Sequence, residues 1–152
     1  MTTVATEGSP CPYCGSAVTF RESSAFIYAG TDYGPVYACS AYPRCDAFVG
    51  CHRGTREALG RLADRELRTW KKRAHAAFDP LWQARQREIA GERDSKQRAR
   101  GGLYGWLARA LGIPSSECHI GMFSVETCKR VVALCAPHAD RLLAGEKLGR
   151  LE

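Results

Sequence analysis

Two pairs of cysteines near the N-terminus constrain this chain more than any other feature. The first is Cys11-Pro-Tyr-Cys14-Gly. The second, after 24 intervening residues, is Cys39-Ser-Ala-Tyr-Pro-Arg-Cys45. Two thiols at CxxC spacing on a tight turn can converge on one ion, and the following glycine relieves the backbone of that turn. Pro-Tyr in the first pair and Tyr-Pro in the second suit such turns. Two knuckles joined by a β-hairpin are how a zinc ribbon assembles a tetrahedral site of four thiolates. The reading is therefore one structural Zn2+ held by Cys11, Cys14, Cys39 and Cys45. Spacing leaves an alternative open, because Cys45 and Cys51 are also separated by five residues. Cys39/Cys45 is favoured, since it encloses the Tyr-Pro turn, whereas AFVG before Cys51 reads as strand. A redox CxxC, or unrelated buried thiols, is the competing account.

Eight cysteines in 152 residues could also make four disulfides. The opening MTTVATEGSP has neither a basic region nor an apolar core of a secretory leader. The expected location is cytoplasmic, where thiols stay reduced or bind metal. No apolar run approaches the ~20 residues that span a bilayer. With 45% hydrophobic and 25% charged residues, the composition excludes collagen-like and wholly disordered chains.

Residues 1–10 read as a flexible tail. Residues 11–52 hold five of the eight cysteines and eight of the fourteen aromatics. The runs AVTF, AFIYA, PVYA and AFVG, separated by Gly, Ser and Asp clusters, predict three or four short strands. From Ala63 the period becomes helical: Ala63, Leu67, Trp70, Ala74 and Phe78 share a face. Asp64 is the expected N-cap, and Asp79-Pro80 the expected start of a second helix ending near Ala90. GERDSKQRARGG reads as a polar hinge. Leu103, Trp106, Leu107, Ala110 and Leu111 predict a third helix, stopped by Gly112 and Pro114. Ser124 can cap a last helix carrying Val125, Cys128, Val132 and Cys135 on one face. The fold class is thus α+β: a zinc ribbon over 11–52, then a mainly helical part over 53–152. That part comprises basic helices over 61–100 and a helical hairpin over 101–145.

The formal net charge is +6, and its distribution is uneven. Residues 1–52 carry −2, residues 53–100 carry +7 and residues 101–152 carry +1. On a helix near Asp64, Arg61, Arg65, Arg68 and Lys72 fall opposite the apolar face. They read either as a solvated surface or as a stripe tracking phosphates. Arg85, Arg87, Arg93, Lys96, Arg98 and Arg100 extend the positive charge. Ribbon aromatics can stack on unpaired bases if exposed. Most are expected to form the ribbon's small core, with Tyr42 the best exposed candidate.

No phosphate loop, GxSxG, HExxH or zinc-deaminase signature occurs. Four thiolates leave zinc no open position for an activated water. Cys118, His119, Cys128, Cys135 and His138 could form a second metal site on paper, but their spacing is that of core cysteines and a loop histidine. His75 and Asp79, four apart on a helix, suit a helix-surface pair better than a nuclease centre, even with His119 added. The connector from Gly112 to Phe123 is too long for a compact helix-turn-helix.

The segments CPYCG and ACSAYPRCDAFVGC resemble the C-terminal zinc ribbons of type IA DNA topoisomerases. The longer chain resembles a phage and prophage family known as zinc-finger-containing domains, of unknown function. VGCHRGT, LGRLADREL, AHAAFDPLW, YGWLARALGI and CHIGMFSVETC carry that second likeness. It implies a viral or mobile origin, and no defined activity. The function expected overall is a non-enzymatic zinc protein binding nucleic acid, DNA in preference to RNA and single strands among its candidate forms, with no small-molecule substrate. The alternative is an accessory or inhibitor protein that binds a host or viral protein.

Overall fold

The computed structural model describes residues 3–152, which form two units, one ending at Arg68 and the other beginning at Thr69.

The first unit is built on a three-stranded antiparallel sheet in the order β1 (Val18–Arg21), β2 (Val36–Cys39) and β3 (Phe48–Gly50). Val18 pairs with Cys39, Phe20 with Tyr37, and Tyr37 with Val49. Because side chains alternate along a strand, this register puts Val18, Phe20, Tyr37, Cys39 and Val49 on one face. Thr19, Val36, Ala38 and Phe48 take the other. The first face carries a small core of Ala5, Cys11, Val18, Cys39, Ala47, Val49, Ala58 and Leu62. Only three of these are large aliphatics, so cysteine chemistry has much of the unit to hold together.

Three sequence expectations are corrected here. The segment AFIYA is not a strand but a run of turns, closed by bonds from Tyr28 N–H to Ser24 O and from Gly30 N–H to Ala25 O. Its backbone polar groups are satisfied locally. The Asp32 carboxylate accepts from the N–H groups of Ser24 and Gly34, and the buried Ser24 hydroxyl accepts from Tyr33 N–H. The predicted tail is tied by backbone hydrogen bonds where described. Gly8 N–H reaches Val18 O, Val18 N–H reaches Ser9 O, and Ala5 N–H reaches Gly60 O. The outer edge of β1 offers backbone groups that need partners, which Gly8 and Ser9 supply, while Ala5 is buried in the ribbon core. Residues 1–2 of that tail lie outside the described residues.

The third correction concerns the helices. The second unit has three: α1 (Arg65–Glu88), which starts within the first unit, α2 (Ser95–Leu111) and α3 (Val125–Leu143). Asp64 caps α1 as expected, its carboxylate accepting from Leu67 N–H at 2.9 Å. Pro80 does not divide the helix. A mid-helix proline forfeits one backbone hydrogen bond, but Phe78 and Leu81 on either side of it are fully buried, and packing on both sides keeps the helix continuous. The predicted hinge is helical from Ser95 onward, because Ala99 and Leu103 are buried on the inner face of α2. Only the stretch around residues 89–94 turns. Gly112, at φ 71°, ends α2 as its sequence predicts. The connector to α3 makes two short 3-10 turns, Ser115–Glu117 and Ile120–Met122. Ser124 then caps α3, its hydroxyl accepting from Thr127 N–H.

The core of the second unit includes Phe78, Leu81, Leu107, Ile120, Cys128, Val131 and Cys135, each 0–1% exposed. Val131 takes the buried place expected for Val132, which is half-buried. Among the described residues, no helix is long and apolar enough to cross a membrane.

Candidate metal centre

Each cysteine of the proposed quartet is placed by backbone it would need in any ribbon. At the first knuckle, Cys11 N–H bonds to Ser16 O and Gly15 N–H returns to Cys11 O. Gly15 sits at φ 80°, a conformation that costs any L side chain. At the second knuckle, Cys39 ends β2. Its Sγ accepts from Ala41 N–H at 3.4 Å, and its carbonyl accepts from Tyr42 N–H. Cys45 N–H closes the loop onto Ala41 O, and a cis peptide joins Tyr42 to Pro43 inside it.

The two knuckles bring all four sulfurs within 4.8 Å of one another. Cys11 Sγ lies 3.8 Å from Cys45 Sγ, and Cys14 Sγ lies 3.4 Å from Cys39 Sγ. Zinc–sulfur bonds of ≈ 2.3 Å in a tetrahedron require sulfurs about 3.8 Å apart. The donor set therefore fits one structural zinc ion, with Cys39 rather than Cys51 as its fourth member. Cys51 forms an isolated bridge with Ala58 and stands outside the cluster. A zinc ion here would close the ribbon. Four thiolates complete its coordination and leave no place for a substrate or water.

Without the ion these thiols differ sharply. Hydrogen bonds from Ser16, through its hydroxyl and its backbone, bring Cys14 down to about 6. Burial pushes Cys39 up to about 12 and also raises Cys45. Cys14 is thereby the readiest thiolate of the three, and Cys39 and Cys45 hold their protons more tightly than a free thiol does. A divalent cation reverses that balance, and its binding releases protons.

The residues proposed for nucleic acid fare differently. Arg68 is already engaged within the ribbon unit. Its guanidinium donates to Asp46 O at 2.7 Å, Ala63 O at 2.6 Å and the Asp46 carboxylate at 3.1 Å. It also lies 4.0 Å above the Phe48 ring. It latches the start of α1 to the second knuckle. Tyr42 is half-buried, not exposed, packed edge-on against Phe26 and Phe48 at 5.3 and 6.4 Å. Tyr33, at 74%, is far more exposed. Arg65 and Lys72 are exposed, and Arg61 is half-buried.

Among the described residues, the ribbon quartet is the one group of three or more His, Cys, Asp or Glu arranged to share an ion. Cys118, His119, Cys128, Cys135 and His138 are not brought together. Burial pushes Cys118 up to about 11 and Cys135 up to about 12, which keeps both as neutral core thiols. His138 stands edge-on to Trp106 at 5.3 Å, and burial lowers its pKa. Asp79 accepts from Trp82 Nε1 at 3.0 Å and lies 3.4 Å from His75, so it serves the helix surface.

No curated protein and no solved structure matches the chain. The model of one family does, over residues 7–138, which is most of the chain and includes all four ligands. With its cysteine quartet assembled as described, the protein belongs to the zinc-finger-containing domain family.

Proposed function

We propose that this is a non-enzymatic zinc protein that binds nucleic acid, with single-stranded DNA as the preferred form, in the cytoplasm. The observation that carries this reading is where the charge resides. Residues 1–68 hold seven Lys/Arg and seven Asp/Glu, whereas residues 69–152 hold fifteen against nine. The entire +6 therefore belongs to the helical unit. Zinc with four thiolates adds −2 to the ribbon, so a polyanion is drawn to the helices instead. Lys72, Arg87, Arg93, Lys96, Arg100 and Arg109 are exposed and, among the described residues, form no ion pair. The zinc ion serves the fold, and the helices supply the affinity.

Titration of labelled single- and double-stranded DNA tests this by anisotropy between about 50 and 200 mM salt. Affinity is expected to fall steeply, as counterion release requires. Absence of binding at the lowest salt overturns the reading.

A protein partner is the second reading, favoured by an apolar groove on the ribbon. The groove, of about 370 Å³, is lined by Tyr28, Tyr33, Pro35, Phe48 and Leu59. Tyr33 and Leu59 are 74% and 51% exposed. A phage or prophage source, which the sequence resemblance implies, makes that partner a host or viral protein. Affinity capture from the native cell, with and without nuclease, separates the two readings. A protein partner survives nuclease, and a nucleic acid bridge does not.

A further inference from the structure

The exposed face of α2 carries a groove of about 450 Å³ lined by Lys96, Gln97, Arg100, Gly101, Tyr104 and His119. Lys96, Arg100 and Tyr104 follow at four-residue intervals. They therefore lie along one side of the helix, over a rise of about 12 Å. The helix holds four cations, Lys96, Arg98, Arg100 and Arg109, and no acid. Arg98 is paired with Glu92, whereas Lys96 and Arg100 have no carboxylate partner among the described residues and instead face rings. Lys96 Nζ is 5.9 Å from the centre of the Trp82 ring, and the Arg100 guanidinium is 5.5 Å from that of Tyr104. Tyr104 is set against Phe78 at 4.6 Å and against the exposed ring of His119 at 6.0 Å. Asp79, the nearby acid on α1, is engaged by Trp82 and His75.

A second observation points outward from the same face. Gly101 and Gly102 stand in the interior of α2, where glycine is a poor helix former. A Cβ added to either would meet nothing within 4 Å. No internal neighbour therefore requires glycine there. The floor of the groove is bare backbone, open to close approach from outside.

We infer that this groove binds a segment of single-stranded nucleic acid, with Lys96 and Arg100 on phosphates, a base stacked at His119 and Tyr104, and the backbone passing over Gly101. Cations that form no ion pair among the described residues, set beside ring faces in a lining without carboxylates, select a ligand that is both anionic and aromatic. The volume lies within the range of sites that hold small ligand groups. This site rests on the nucleic-acid reading above and places it on one helix face.

The full-length zinc protein is titrated with labelled oligothymidylate. The double variant Lys96→Glu/Arg100→Glu is expected to weaken binding about 10–100-fold and to reduce the salt slope by about 1.4, from ~0.7 per single-strand phosphate. His119→Ala is expected to weaken it about 5-fold or more, through lost stacking. Gly101→Ala separates a site from a scaffold role. It should raise Tm by about 2–4 °C, as a better helix former, while weakening binding. If the double variant and Gly101→Ala bind like the parent with unchanged salt slope, the groove assignment is wrong while the nucleic-acid reading stands. If the parent binds no oligonucleotide, both fail. If polyglutamate displaces the oligonucleotide as well as unlabelled oligothymidylate does, the occupant is an acidic peptide and the inference is overturned.

Discussion

Replacing Cys45 by serine and, in a separate variant, Cys51 by serine sets a member of the quartet against the nearby cysteine that lies outside it. Cys45 Sγ lies 3.8 Å from Cys11 Sγ within the quartet, whereas Cys51 pairs by backbone with Ala58 outside it. Structural zinc sites contribute about 10–16 kcal/mol of apparent binding energy at neutral pH. An equal share for one of four bonds is about 2.5–4 kcal/mol, or a loss of about 10²–10³-fold in zinc affinity. Chelator competition measures that loss directly. The fluorophores then report the two units separately. Trp70, Trp82 and Trp106 all lie in residues 69–152, and five of the six tyrosines lie in residues 1–68. For Cys45→Ser, tyrosine emission and amide protection across residues 18–50 should change, with tryptophan emission preserved. Cys51→Ser should retain one zinc per chain and change stability by no more than about 1 kcal/mol, the ordinary range for a mild substitution. Zinc loss in Cys51→Ser, or full zinc affinity in Cys45→Ser, refutes the assignment of the quartet.

Arg68→Met removes two bonds to carbonyls and a half-exposed ion pair with Asp46. It should destabilise the ribbon unit by about 1–3 kcal/mol, read from the denaturant midpoint of tyrosine emission. An unchanged midpoint means that the latch contributes nothing. Cys118 and Cys135 are held neutral, with values near 11 and 12 against 9.0 for a free thiol. Because folding raises these values, their contribution is complete below pH 9 and is lost as pH rises through 11 to 12. Thermal scans followed by tryptophan should show Tm level up to about pH 9 and falling above it, less steeply in a Cys135→Ala variant. Ser124→Ala removes the side-chain acceptor of Thr127 N–H and should cost about 0.5–2 kcal/mol, measured by urea denaturation. Ser124→Asp should restore most of that loss.

The features legible in the sequence are those set by short-range geometry. CxxC-Gly is a turn whatever surrounds it, and Ser124 or Asp64 caps a helix through its own neighbours three residues on. The change from alternating to helical periodicity near Ala63 marks the passage from sheet to helix. The misread segments are those where distant packing overrides local preference. AFIYA has strand composition, yet it folds into turns because Ser24 and Asp32 satisfy its ends. Gly101-Gly102 reads as a hinge, yet buried Ala99 and Leu103 hold it in a helix. A hinge gives Lys96, Arg100 and Tyr104 no common face, whereas the helix aligns them at four-residue spacing.

By itself the sequence determined that a four-thiolate ribbon precedes a basic helical region, because turn chemistry and hydrophobic period are carried by neighbouring residues. Only the tertiary structure decided that Cys39, and not Cys51, completes the site. It also committed Arg68 to Asp46, Ala63 and Phe48, and turned Tyr42 inward against Phe26 and Phe48. Each of those outcomes depends on partners brought together by strand register, loop closure or capping rather than by the local pattern of residues. Spacing along the chain can nominate a ligand or a cation, but the groups that claim it are set by the fold.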